Sequence, residues 1–274
     1  MSLALFPLNT VLFPGCTLDL QIFEARYLDM IGRCMKKGEG FGVVCILDGS
    51  EVGMAPDGYA LVGCEALIRD FKQQDNGLLG IRVEGGRRFR VREADVQKDQ
   101  LLVAQVQWLQ ELPDPPLGEE DADLLALLEA LAEHPMVASL DMGGDVEGQQ
   151  ALGNRLAYLL PFTEADKIDL LQLDDPQQRL DAIQMLLDEL QGELFTRGSD
   201  LPDRAFRLCS VVSTASPALF SDHTTMIGDN HDSADTLGTS RVGRLFRQRD
   251  HAITPAASHA GRGVHRRARR RSGR

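Results

Sequence analysis

Arg87, Arg88, Arg90 and Arg92 form the densest cationic group in the first two hundred positions of the chain. A guanidinium is a planar fork of donors that takes phosphate or carboxylate in pairs of hydrogen bonds. In an extended strand Arg88, Arg90 and Arg92 fall on one face, while Phe89 and Val91 point the other way, toward a core. Such a face would serve RNA or a smaller anionic ligand. The plainer expectation is a solvated face whose charges offset the acidity around it. A second polar group sits in Phe23-Glu24-Ala25-Arg26-Tyr27, where Glu24 and Arg26 flank a helix start. It reads as a polar pair at a binding surface, or as a helix-start carboxylate near the positive end of the dipole with Arg26 holding a neighbouring loop. With Phe13 and Tyr27, the residues Glu24, Arg26, Arg88 and Arg90 make up the candidate binding surface.

Other chemistries find little support. Asp141 and Asp145 surround Gly143-Gly144, and acidic residues cluster at 119–123, but the run lacks the ligand spacing of a calcium loop and reads as a solvated connection. His134 stands beside Pro135 at a helix end, where capping is its expected role. The five cysteines are scattered, with no CxxC pair, so neither a zinc site nor a disulfide framework is expected. They read as buried, reduced thiols. No GxxxxGK[ST] loop is present to cradle phosphates. Ser2, Ser50, Ser139 and Ser199 stand in no recognisable nucleophile motif. No catalytic residue, cofactor or metal is assigned.

The charge is unevenly spread. The net charge of -12 divides into 16 Lys and Arg against 35 Asp and Glu over residues 1–200, and 13 Arg against 6 Asp over 201–274. The acidic body repels phosphate backbones, which makes nucleic acid an unlikely partner for it. The first positive charge is Arg26, and prolines interrupt the early apolar stretch, so no secretory leader is expected. No run approaches a membrane span. A soluble, cytoplasmic protein is the expectation.

The elements that must carry these residues divide in two. Residues 1–112 are β-rich. The pattern predicts strands over Leu8–Phe13 (an edge strand bounded by Pro7 and Pro14-Gly15), Leu18–Ile22, Phe41–Leu47, Ala60–Phe71, Leu78–Val83, Arg87–Val91 and Leu101–Trp108, with Gly85-Gly86 as a turn. One helix over Glu24–Lys36, with Tyr27, Leu28, Ile31, Cys34 and Met35 on its apolar face, stops at Gly38. Six or seven short strands with a single helix favour a barrel or pseudo-barrel over a parallel sheet. After the break at Pro113–Pro116, residues 117–196 are helical, over Glu119–Glu133, Gln149–Leu160, the stretch capped by Thr163 to Asp166, and the helix begun by Asp175-Pro176. Their leucine stripes predict a small bundle. Residues 201–274 carry neither period and end in RRARRRSGR, which predicts a disordered tail. Arg-rich, Lys-free composition is also what out-of-frame reading of GC-rich DNA yields, which sequencing of the gene's 3′ end would test.

Several stretches, in order, resemble one family. FPLNTVLFPGCTLDLQIFEARYLDMI, FGVVCI, GSEVG, VGCEALIRDF, GLLGIRVEGGRRFRV and LLPFTEADKIDLLQLDDPQQRLDAIQMLLDEL are similar to the Lon protease N-terminal (substrate-binding) domain, in its short stand-alone bacterial form. The resemblance covers residues 1 to about 196. It implies an α+β fold, with an N-terminal PUA-like β pseudo-barrel followed by a small α-helical bundle. It implies a role in capturing unfolded or client protein segments, or a protease or chaperone partner. It does not bring the chemistry of Lon, because the ATPase loop and the Ser-Lys dyad of that enzyme have no counterpart here. The expected function is a non-catalytic protein-binding module, with RNA or anionic-ligand binding through Arg87–Arg92 as the alternative.

Overall fold

The computed structural model describes residues 1–196, apart from 76, 143 and 144, together with Arg241. The expectation of a disordered tail over 201–274 therefore lies outside the described residues, Arg241 excepted.

The first half is a closed sheet. Its strands are β1 (Ser2–Leu8), β2 (Thr17–Ile22), β3 (Phe41–Asp48), β4 (Gly58–Tyr59), β5 (Val62–Gln73), β6 (Leu79–Val96) and β7 (Leu102–Trp108). The hydrogen-bonded order β1-β7-β6-β5-β3 returns to β1 through the parallel pairing of Leu5–Leu8 with Gly42–Cys45. That closure removes the sheet edges an open meander would expose. β2 lies outside the ring and pairs with the first part of β6 alone, and β4 pairs with β3. Leu5, Val44, Phe89, Val91, Leu102, Ala104 and Val106 fill one buried cluster. Phe89 meets Trp108 edge-on there, with centroids 6.0 Å apart. The second and larger cluster lies between the sheet and the helices.

Three local expectations change. The first strand is Ser2–Leu8, and the chain leaves the sheet at Asn9 rather than entering it at Leu8. β1 is held by β7 over Ser2–Leu5 and by β3 over Leu5–Leu8, so Pro7 falls where β1 has one neighbour, a position that tolerates a missing amide hydrogen. Gly85-Gly86 is no turn, since β6 runs through both glycines as one strand of 18 residues. Gly85 is required by close approach: a Cβ there would stand 2.0 Å from the Phe13 carbonyl oxygen. Leu28 and Met35 are 40% and 39% exposed, because the buried stripe of helix α1 (Ala25–Lys37) runs through Tyr27, Met30, Ile31 and Cys34. Gly38, at φ 66°, closes α1 by donating its N–H to the Cys34 carbonyl.

Pro14-Gly15 does form the expected turn. Cys16 N–H donates to the Phe13 carbonyl at 3.1 Å, with Gly15 at φ 74°, the left-handed value a type II turn needs at its third residue. The turn is clamped to β6 by Gly15 N–H to the Gly85 carbonyl and Gly85 N–H to the Cys16 carbonyl, both 2.8 Å.

The helices are α2 (Ala122–Ala132), α3 (Pro135–Ser139), α4 (Gln149–Leu159), α5 (Glu164–Gln172) and α6 (Pro176–Thr196). The short α3 was not foreseen, although His134 caps it as expected, its Nδ1 accepting from Met136 N–H. Thr163 caps α5, accepting from Asp166 N–H at 3.2 Å, and Asp175 caps α6 through Gln177 N–H at 3.0 Å. Leu124, Leu127, Leu128 and Leu131 of α2, Leu152 and Leu156 of α4, and Leu180, Ile183 and Leu187 of α6 are all buried. α4 lies against the β1–β2 turn, where Asn154 Nδ2 donates to the Pro14 carbonyl at 3.2 Å and the Tyr158 hydroxyl to the Thr17 carbonyl at 3.0 Å.

Candidate functional site

The candidate surface residues do not converge on one face. Phe13 is wholly buried beneath the turn it precedes. Tyr27 is buried against Phe6, with the rings stacked at 4.0 Å. Arg26 is buried too, since its guanidinium lies 4.5 Å over the Tyr27 ring, pairs with Glu24 at 3.0 Å and donates to the Gln100 carbonyl at 2.8 Å. Gln100 holds a left-handed φ of 68°, so Arg26 ties down a strained loop. Of this group Glu24 alone is partly exposed, and its Oε2, the oxygen paired with Arg26, also accepts from Gly53 N–H.

The arginine face is also reorganised. Phe89 and Val91 point into the sheet core as expected. Arg88 points the opposite way, yet reaches no solvent, because the end of α5 covers it. Its guanidinium donates to the carbonyls of Leu171 and Leu173, each at 2.8 Å, and forks onto Glu111 at 2.8 and 2.9 Å. Asp174 adds an ion pair at 3.1 Å. Arg90 is half-buried and Arg92 is exposed, bonded to Gln107. Arg87 lies 4.0 Å over the Trp108 ring and pairs with Glu65 at 3.3 Å. Arg88 is thus a structural clamp between sheet and helices, unavailable to an RNA or anion at the surface.

What the fold does assemble is a cleft of about 550 Å³ between the outlying strand β2 and the helices. That volume falls in the range of ordinary ligand sites. Leu18, Leu20 and Ile81 line its sheet side, and Leu140, Tyr158 and Leu159 its helical side. Phe71 and Met136, also lining residues, are 56% and 41% exposed. Asp19 and Arg82 pair across β2 and β6 through two bonds of 2.7 Å. Lys167 of α5 lines the same cleft and is buried, donating to the Tyr158 carbonyl at 2.8 Å, near the C-terminal end of α4. Burial pulls its ammonium down to about 8, against the opposing pull of Glu164.

Sequence reasoning passed over Lys167. A signal existed: Lys167, Leu170 and Leu171 share one helical face by their spacing, so a cation sat inside an apolar stripe. Of the five cysteines, Cys16, Cys34, Cys45 and Cys64 are free and buried as expected, and Cys209 lies outside the described residues. Among the described residues no cluster of His, Cys, Asp or Glu could hold a metal ion, and no helix is long and apolar enough to cross a membrane.

A ring closed by β1 and β3, an outlying β2 and helices docked through Arg88 form a distinctive frame. Residues 2–189 match the family of the ATP-dependent protease La (LON) substrate-binding domain. The chain belongs to that family. The crystal structure of a Lon N-terminal domain protein from Xanthomonas campestris is similar at 39% identity and a TM-score of 0.55, over 68% of this chain and 97% of that one. The N-terminal domain of the Mycobacterium avium complex Lon protease is 19% identical, with a TM-score of 0.49, over 67% of this chain and 96% of its own. A Lon protease from Flavobacterium johnsoniae is 23% identical over 203 residues, 70% of this chain but 24% of that relative. The Lon-type chain described here therefore spans about a quarter of the length of that curated relative. The part matched is the substrate-binding domain of the Lon family.

Proposed function

We propose that this Lon-type domain is a non-catalytic module that receives unfolded protein segments in the cleft between β2 and the helices, and so serves proteolysis or protein quality control in the cytoplasm. The observation that carries the reading is the cleft itself, in which exposed Phe71 and Met136 accompany the apolar lining of Leu20 and Tyr158. A folded protein seldom leaves large apolar side chains grouped beside a concavity without a partner. The relatives support it, since the matched family is described as substrate-binding. Client segments are the occupant, and a protease or chaperone is the partner to which they pass. Absence of a phosphate-cradling loop and of a nucleophile motif from the sequence supports a binding role rather than peptide hydrolysis.

The test is fluorescence anisotropy of the full chain with labelled, reduced and carboxymethylated lactalbumin, against the same protein in its native form. Saturable binding of the unfolded form alone is expected. Equal binding of both forms, or of neither, would sink the proposal.

A further inference from the structure

Among the described residues β2 has one partner strand, and its other edge opens on the cleft. Gly85 N–H donates to the Cys16 carbonyl, which fixes the phase of the ladder between β2 and β6. In an antiparallel pair the backbone groups of alternate residues face the partner. The Cys16 carbonyl and both backbone groups of Leu18, Leu20 and Ile22 therefore face β6, and Thr17, Asp19 and Gln21 present theirs outward. The Tyr158 hydroxyl already takes the Thr17 carbonyl, which confirms the outward phase. Asp19 and Gln21 keep an outward pair of backbone groups each, spaced as an added strand requires.

Lys167 lines the same cleft with a different demand. Its ammonium has three protons, and the Tyr158 carbonyl takes one. Among the described residues no carboxylate forms an ion pair with it, Glu164 included, although Glu164 also lines the cleft. A buried cation so sparsely satisfied favours an anion that brings its own acceptors.

We propose that the cleft receives the carboxyl-terminal end of an extended polypeptide, which adds to the free edge of β2 at Asp19 and Gln21 and sets its terminal carboxylate on Lys167. The inference rests on the reading of the cleft as a polypeptide site and adds its polarity and its end-group. Charge complementarity chooses the occupant: the edge needs an extended backbone, and the ammonium needs a carboxylate. A polypeptide C-terminus carries both. The apolar walls of Leu18, Leu20 and Ile81 then cover its last side chains.

The test uses the full chain and two fluorescein-labelled octapeptides of one apolar sequence, one with a free carboxylate and one amidated. The free acid is expected to bind about tenfold tighter at pH 7, as a charge-assisted contact predicts. Lys167→Met should erase the difference between acid and amide, chiefly by weakening the acid. Gln21→Pro removes the outward N–H without touching the ladder to β6, and should weaken both peptides about fivefold. Equal binding of acid and amide to the unaltered chain overturns the carboxylate site, and needs no variant to fold. Undiminished binding by Gln21→Pro overturns strand addition. If neither peptide binds while unfolded lactalbumin does, this inference fails alone; if lactalbumin fails too, the proposed function fails with it.

Discussion

Arg88 of β6 and Arg179 of α6 donate to the same oxygen, the carbonyl of Leu173. Both guanidinium groups are wholly buried. Leu173 follows the last turn of α5, so the orphan carbonyls at a helix end are satisfied by cations from a strand and from the next helix. Burial, and then the charge of Arg88, pull the Arg179 guanidinium down to about 10. Glu111 and Asp174 supply the compensating negative charge.

Removing Arg88 should therefore cost far more than a surface arginine. Arg88→Met leaves the Leu171 carbonyl and the partly exposed Glu111 carboxylate short of donors, while Leu173 keeps Arg179, and losing such charge-assisted bonds costs about 2–3 kcal/mol. Urea unfolding should report a loss of that size, against less than about 0.5 kcal/mol for Arg92→Ala on the exposed end of β6. Similar losses for the two variants would mean that Arg88 is no clamp.

Gly85 makes a sharper steric prediction. The Phe13 carbonyl lies where a side chain would begin, and it cannot withdraw, because its oxygen accepts from Cys16 N–H in the turn. Gly85→Ala should cost about 3 kcal/mol, the upper end of over-packing penalties. Gly15→Ala meets no atom within 4 Å and suffers only its left-handed φ, about 1 kcal/mol. Thermal melts of the two variants would rank them, and the reverse order would refute the close-approach account.

These residues mark what could be read in advance. Phe41–Asp48, Thr17–Ile22 and the caps at Gly38, Thr163 and Asp175 were legible because each depends on its own few neighbours. Two adjacent glycines suggest a turn by the same local logic, yet Gly85 answers to the carbonyl of Phe13, far away along the chain. Arg88 was placed on the correct side of its strand and wrongly wetted, since the end of α5 that covers it is set by long-range packing. The residues of the cleft were not legible, because Asp19, Arg82 and Lys167 converge from three elements, and no spacing along the chain encodes that.

The titratable groups set the direction of an alkaline response. Lys167 holds its proton less well in the fold, at about 8 against 10.5. The unfolded chain then binds more protons between those values, so this group makes stability rise with pH across that window. Thiols act oppositely. Burial raises Cys16 and Cys45 from 9.0 to about 12, so their contribution is full below pH 9 and is lost as pH climbs toward 12. Between about pH 7.5 and 9 the gain from Lys167 offsets the loss from the thiols, so urea midpoints should stay nearly level there and fall at higher pH. Lys167→Met should turn the level stretch into a fall and spare the later decline; an unchanged level stretch would remove Lys167 as its source.

The apolar rim of the cleft gives the most direct link to function. Phe71 and Met136 are too exposed to contribute much to folding, so Phe71→Ser and Met136→Ser should each shift the melting temperature by less than about 2 °C. A bound segment would cover them, and losing roughly 40 Å² of that contact at about 25 cal/mol per Å² corresponds to about fivefold in affinity. Leu61, 59% exposed and outside the cleft lining, is the control. Anisotropy with unfolded lactalbumin should weaken for the two rim variants and stay level for Leu61→Ser. Equal weakening by all three would mean that exposed apolar surface binds anywhere on the protein, and the cleft would lose its claim to be the site.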